Sequence, residues 1–214
     1  MITPQQHQLK IQRRNTAVKI ILLLVAAAVI RYGLKGIVFI LMGHTTLTDH
    51  MGSMSAMLVL TGILYVLSKK TDTDLCFVPK RLSWHYILIE TVFAIGIWGN
   101  YQQSMESVLL LLYSAVITPV YEELLFRGYI WNRISKVYSN RWAVYVLVTI
   151  LFGLWHLVYI DSIAYRVSDG LFSIMVWKVI TAVCFGIVLG AVRMKSDNCF
   201  ASMLVHGALN LFAR

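Results

Sequence analysis

Apolar residues dominate this chain in long runs, and short polar segments separate one run from the next. A helix needs about 20 apolar residues to cross a bilayer. Seven runs approach that length, at residues 18–42, 51–68, 83–99, 105–129, 143–160, 171–192 and 199–212. The pattern predicts an all-α, polytopic transmembrane helical bundle of about seven spans, forming one membrane domain over residues 1–214.

Composition supports this class. Hydrophobic residues make up 58% of the 214 residues, charged residues 14%, and the mean hydropathy is +0.70. A soluble domain would carry about a quarter charged residues. Arg31 and Lys35 interrupt the first run on one helical face. Their side chains could face the bundle interior or snorkel outward. The sequence is also compatible with either one helix or two broken pieces in this run. In the sixth run we expect Lys178 to snorkel outward.

Basic residues alternate between the connecting segments. They occur before the first run and around every second connection. The connections after residue 42 and near residue 101 contain no Lys or Arg, and the connection near residue 167 contains Arg166 alone. The positive-inside rule then places the N-terminus in the cytoplasm. The net charge of +9 is explained by this topology, and no nucleic-acid partner is predicted.

Other global features indicate packing. Cys76, Cys184 and Cys199 show no paired spacing, which favours buried thiols over a disulfide or a metal site. Gly186 and Gly190 form a GxxxG pattern, which predicts close contact between helices. Membrane lipids are the expected surroundings of the whole chain.

The stretch YEELLFRGYI places charged side chains inside the fourth run. Glu123 and Arg127 are four residues apart with the acid first, the favourable order for an ion pair on a helix. Glu122 points about 100° away and has no local partner. A carboxylate at that depth costs several kcal/mol and is a functional candidate by default. We therefore expect Glu122 to find a partner on another helix.

Two histidines lie in apolar helix and can meet Glu122. His156 occurs in FGLWHLVY in the fifth run, and His206 occurs in MLVHGALN in the seventh, with Asn210 one turn later. Pro119, just before Glu122, predicts a kink, because proline cannot donate the helical hydrogen bond to residue 115.

The chain contains three motifs in a fixed order. They are EExxxR (Glu122, Glu123, Arg127), FxxxH (Phe152, His156) and HxxxN (His206, Asn210). Together they resemble the motifs of the CAAX protease and bacteriocin-processing family (CPBP/Abi) of intramembrane endopeptidases. The resemblance covers about residues 105–212. It implies that Glu122 and His156 activate a water and that His206 and Asn210 stabilise the tetrahedral oxyanion. Glu123 and Arg127 would support the site, and no cofactor would be needed. The alternative is a zinc hydrolase in which Glu122, His156 and His206 bind Zn²⁺.

Two classes of function follow. The first is an intramembrane endopeptidase in the cytoplasmic half of the membrane, acting on a prenylated C-terminus, a bacteriocin or pheromone precursor, or another membrane segment. The second is a non-catalytic membrane protein on the same scaffold, such as a bacteriocin self-immunity factor. A transporter is a more distant alternative, because it predicts inverted repeats that the chain lacks. The expected location is a bacterial plasma membrane, although the residues themselves do not distinguish it from the endoplasmic reticulum.

Overall fold

A computed structural model describes residues 3–77, 79, 84–101 and 104–212, and these residues form seven helices. The helices are α1 (Pro4–Met42), α2 (Thr46–Lys70), α3 (Trp84–Asn100), α4 (Met105–Ser135), α5 (Arg141–Arg166), α6 (Leu171–Ser196) and α7 (Cys199–Phe212). All except α3 and α7, which are shorter apolar helices, are long and apolar enough to cross a membrane. The predicted all-α class is confirmed, and the protein is a multi-pass membrane protein. The predicted start of the third span, Ser83, lies outside the described residues.

The first two helices differ from the predicted spans. The first run is one continuous helix of 39 residues, α1. Helix α2 begins at Thr46 and not at residue 51, because Thr45 caps it by accepting a hydrogen bond from the backbone N–H of Thr48. The capped turn brings Asp49 into the helix, where its carboxylate lies near the positive end of the helix dipole.

Arg31 and Lys35 face the bundle interior and are 0% and 1% exposed. Arg31 pairs with Asp161 at 3.0 Å, Lys35 pairs with Asp49 at 2.6 Å and also with Asp161, and Arg166 pairs with Asp49 at 2.8 Å. Because these residues come from α1, α2 and α5, they tie three helices together. We call this group of five residues the ionic cluster.

Helix α4 is not a regular α-helix. It contains two π-helical segments, Leu112–Ile117 and Leu124–Ile130, on either side of the α-helical turn Thr118–Glu123. Pro119 lies in that middle turn, where its missing N–H interrupts the regular hydrogen-bond series. π-Helical turns inside α-helices are often found at functional sites. The two adjacent glutamates are the last residues of the middle turn.

The two ends of the bundle are chemically different. At one end, Arg13 donates to the Val137 carbonyl, and Arg141 donates to the Met194 carbonyl. We call this the basic end, and its basic side chains are Arg13, Lys69, Lys70, Arg133, Lys136, Arg141, Arg193 and Lys195. At the other end, the Tyr165 hydroxyl donates to the His44 carbonyl. We call this the far end; it contains the connections after α1, α3 and α5.

Glycines bring α6 close to α5 and α7 close to α4. A Cβ on Gly190 would lie 2.7 Å from the ring of Tyr145, and one on Gly186 would lie 3.1 Å from Thr149, so the GxxxG pattern packs α6 against α5 as predicted. A Cβ on Gly207 would lie 2.5 Å from the Ala115 carbonyl oxygen. Gly207 therefore lets α7 approach the first π-helical segment of α4.

Candidate active site

A cavity of about 370 Å³ lies between α4, α5, α6 and α7. All four residues predicted to be catalytic, Glu122, His156, His206 and Asn210, line it. The other lining residues are Tyr113, Ser114, Thr118, Tyr159, Lys178, Thr181, Ala182 and Phe185. The fold therefore brings together the residues of all three motifs, which are separated by up to 88 positions in the sequence.

Glu122 presents one satisfied and one unsatisfied oxygen. Its side chain is buried, and Oε1 accepts a hydrogen bond from the Tyr159 hydroxyl. Within the described residues Oε2 has no hydrogen-bond partner, and it lies 3.8 Å from Nε2 of His206. A buried carboxylate oxygen without a donor is costly. Glu122 lines the cavity, and Oε2 is its oxygen that lacks a donor in the described part of the chain.

Glu123 is held by two donors. Its Oε1 accepts from Arg127 at 2.9 Å, which confirms the predicted ion pair, and from Nδ1 of His206 at 3.0 Å. The Arg127 guanidinium also lies 4.1 Å from the ring centroid of Phe152, a cation–π contact. Glu123 and Arg127 therefore fix the orientation of His206 and leave its Nε2 for the cavity.

The hydrogen bond of His156 defines its tautomer. Its Nδ1 lies 2.9 Å from the carbonyl oxygen of Phe152, one turn earlier. A carbonyl only accepts, so Nδ1 is the donor and Nε2 of the neutral ring keeps its lone pair. The contact explains the four-residue spacing of FxxxH, and it leaves His156 able to accept a proton.

Asn210 is anchored to the wall of the cavity. Its Nδ2 donates to the Ser114 carbonyl oxygen at 2.8 Å. An amide nitrogen has two hydrogens, so one N–H bond of Asn210 remains for a second acceptor. Asn210 lies one turn beyond His206 on α7, so both side chains reach the same cavity.

Three residues that contact the candidate site or line its cavity were missed or misread from the sequence. The hydroxyl of Tyr159 donates a hydrogen bond to Glu122. Its place three residues after His156 was the signal that could have identified it. Arg193 was treated as a topology signal, yet its Nε donates at 3.0 Å to the Arg127 carbonyl in the second π-helical segment.

Lys178 is the third, and the prediction that it snorkels outward is wrong. It lines the cavity, and its Nζ lies 5.4 Å from the ring centroid of Tyr159. The polar cavity and the aromatic face provide a more favourable environment for the ammonium than the lipid does.

The zinc alternative requires three ligands that converge. Among the described residues, no group of three or more His, Cys, Asp and Glu side chains is placed to hold a metal ion. Nδ1 of His206 contacts Glu123 and Nδ1 of His156 contacts Phe152, which leaves Nε2 of each ring as the nitrogen that could bind a metal.

Cys76, Cys184 and Cys199 are free thiols, as predicted, but only Cys199 is buried. Cys184 is exposed on α6, where an apolar thiol is compatible with lipid.

Comparison with known proteins identifies the family of the chain. The family described as type II CAAX prenyl endopeptidase Rce1-like matches residues 104–212. The UPF0177 protein YbdI of Lactococcus lactis subsp. lactis (strain IL1403) is 26% identical over 96 residues, which are 45% of this chain and 42% of YbdI. The similarity thus spans less than half the length of that relative. No solved structure matches the chain. Since the family match covers half of the chain and contains all three motifs, the chain belongs to the Rce1-like family of type II CAAX prenyl endopeptidases.

Proposed function

We propose that the protein is an intramembrane endopeptidase that hydrolyses peptide bonds with a water activated by Glu122 and His156. The observation that carries this proposal is that Glu122, whose buried Oε2 lacks a hydrogen-bond partner within the described residues, lines a cavity together with both histidines. Peptide hydrolysis needs a base for the water and donors for the developing oxyanion, and this cavity contains candidates for both.

Glu122 and His156 supply the base. The water would donate to Oε2 of Glu122 and to Nε2 of His156, and the proton taken from it would pass to the leaving amine. Tyr159 orients the carboxylate through Oε1, so it is a positioning residue.

His206 and Asn210 supply the oxyanion donors. The free N–H bond of Asn210 is one of them. Nδ1 of His206 donates to Glu123, so Nε2 can donate to an oxyanion only when the ring carries both protons.

The substrate is a peptide or protein held in the membrane. A prenylated C-terminus and a bacteriocin or pheromone precursor are the two chemical classes we propose, and a bacterial plasma membrane is the proposed location. In this proposal no metal takes part, and Zn²⁺ held by Glu122, His156 and His206 is the competing mechanism.

The test is cleavage of a quenched CAAX-type peptide library by the purified protein in detergent. We expect activity that is abolished by Glu122→Ala and by His206→Ala and unaffected by a strong zinc chelator. Loss of activity on chelation, with recovery on adding zinc, would replace this mechanism by the metal-dependent one. Cleavage that persists in both variants would contradict the assigned roles.

A self-immunity factor that binds a toxin or receptor without catalysis is the second candidate. A binding role does not require an unsatisfied carboxylate beside two histidines, which is why we place it second. It would be favoured if the folded wild-type protein cleaved no member of the library.

A further inference from the structure

Arg193, near the end of α6, contacts the second π-helical segment of α4 at a carbonyl that has lost its usual backbone donor. In an α-helix, the backbone N–H of Trp131 would donate to the carbonyl of Arg127, four residues earlier. In this chain the Trp131 N–H donates to the carbonyls of Phe126 and Gly128. Nε of Arg193 donates to the Arg127 carbonyl oxygen at 3.0 Å. The side chain of Arg193 therefore takes the place of the backbone donor that the π-helical register moves away.

The guanidinium of Arg193 is held against the same part of α4 by further contacts. It is buried, its Nη2 donates to Oδ1 of Asn132 at 3.2 Å, and it lies 5.6 Å from the ring centroid of Trp131. The carboxylate of Asp197 lies 3.9 Å away and is 69% exposed, so it neutralises the charge only weakly. Burying a charge against neutral oxygens costs free energy. The use of arginine here indicates that its hydrogen-bond donors have a role of their own.

The carbonyl that Arg193 binds belongs to the residue that supports His206. The Arg127 guanidinium donates to Glu123, and Glu123 accepts from Nδ1 of His206. Without the donor from Arg193, the carbonyl of Arg127 would be free to accept from the Trp131 N–H again, and the segment could return to the α-helical register. A π-helix has more residues per turn than an α-helix. The return would therefore change the direction of the Arg127 side chain relative to Glu123.

We infer that Arg193 is a positioning residue. It keeps the second π-helical segment in register, so that Arg127 and Glu123 hold His206 at the cavity. Arg193 does not line the cavity and belongs to none of the three motifs, so it acts through Arg127 and not on the substrate. The inference rests on the proposed protease function for its effect on rate, and on the contacts of Arg127 for its effect on the site.

Cleavage of the quenched peptides tests the effect on rate. Arg193→Met removes the donors at similar length, and Arg193→Lys keeps the charge and one donor. Arg13→Met is the matched control, because Nε of Arg13 also donates to a carbonyl, that of Val137 at 3.1 Å, and its guanidinium lies over the ring of Tyr138. We expect kcat per folded molecule to fall about tenfold in Arg193→Met with little change in KM. It should be largely restored in Arg193→Lys and unchanged in Arg13→Met.

Two kinetic results would overturn the inference. One is an equal change in Arg193→Met and Arg13→Met, and the other is an equal loss in Arg193→Lys and Arg193→Met. A double-mutant cycle then tests the route. In an Arg127→Met background, Arg193→Met should lower kcat little further, because the side chain that it positions is gone. The full additional loss in that background would also contradict the inference.

A second measurement needs no cleavage. The Nδ1–H group of His206 is buried and hydrogen-bonded to Glu123, so its proton should give a resolved NMR signal in ¹⁵N-histidine-labelled protein, assigned by its loss in His206→Gln. We expect this signal to shift in Arg193→Met and to keep its position in Arg193→Lys and Arg13→Met. An unchanged signal in Arg193→Met would overturn the inference even if the peptides are cleaved. A shifted signal in a protein that cleaves nothing would support the positioning role and count against the protease function alone.

Discussion

Two groups of buried charges in this bundle have opposite character. In the ionic cluster every carboxylate is paired: Asp49 with Lys35 and Arg166, and Asp161 with Arg31 and Lys35. In the active site, one oxygen of each glutamate has no hydrogen-bond donor in the described structure. Glu123 is nevertheless paired with Arg127 and His206, whereas Glu122 has no Lys or Arg partner there and lines the cavity. Both groups are costly to place in a membrane. We therefore expect chemistry at the buried carboxylate that lacks a cationic partner and adjoins a cavity.

The largest expected effect is a loss of activity on substitution of Glu122, which no substitution in the ionic cluster should cause. Glu122→Gln removes the proposed base and keeps the size of the side chain, so cleavage of the quenched peptides should fall by about 10³-fold. Thermal unfolding in detergent should be unchanged or shifted slightly upward, because a buried charge is removed. A variant that keeps near-wild-type activity would contradict the assignment of Glu122.

A substitution in the ionic cluster should lower stability and leave activity unchanged, the reverse of the result expected for Glu122→Gln. Asp49→Asn leaves Lys35 and Arg166 without this carboxylate, and breaking a buried ion pair destabilises a protein by about 3–5 kcal/mol. Thermal unfolding should report that loss, while the activity per folded molecule is retained. Asp197→Asn is the control, because its pair with Arg141 is exposed and should contribute about 0–1 kcal/mol. Equal shifts in the two variants would show that the cluster does not hold the helices.

A smaller effect tests the link between Glu122 and Tyr159. Tyr159→Phe removes one hydrogen bond to the carboxylate and should lower kcat about tenfold with little change in KM. The neighbouring hydroxyl of Tyr121 is buried and has no partner in the described residues, so Tyr121→Phe is a matched control that should keep full activity. A similar loss in both variants would mean that the aromatic packing, and not the hydrogen bond, is what matters.

The smallest effect concerns Lys178, whose ammonium lines the cavity without a direct ion pair in the described part of the chain. We expect it to favour peptides that carry a carboxylate. Lys178→Met should reduce the preference for a free C-terminal acid over the amide by about fivefold, the size of a partly exposed ion pair. Lys178→Arg keeps the charge and should keep the preference. An unchanged preference in Lys178→Met would exclude this role.

The sequence predicted what depends on local spacing. Helix positions follow from apolar runs, and the pairing of Glu123 with Arg127 follows from four-residue spacing. The convergence of His156 and His206 on Glu122 was expected because few other polar groups are available inside the membrane.

Contacts between distant helices were not predictable. Asp49 and Asp161 looked like residues of connecting segments, and only the packing of α2 and α5 on α1 turns them into partners of Arg31 and Lys35. Lys178 was misassigned because both faces of α6 are apolar, so the sequence does not indicate which face meets the cavity. The π-helical turns themselves were not predicted, although Pro119 between them was expected to kink the helix.

The π-helical segments also make the site sensitive to changes in chain length. Each π-helical turn accommodates one residue more than the α-helix that it interrupts. A single-residue deletion within Leu112–Ile117 would leave all three motifs intact, yet it would remove the π-helical turn that contains Ser114, whose carbonyl accepts a hydrogen bond from Asn210. In this chain, the candidate site therefore depends on the length of this segment as well as on the motif residues.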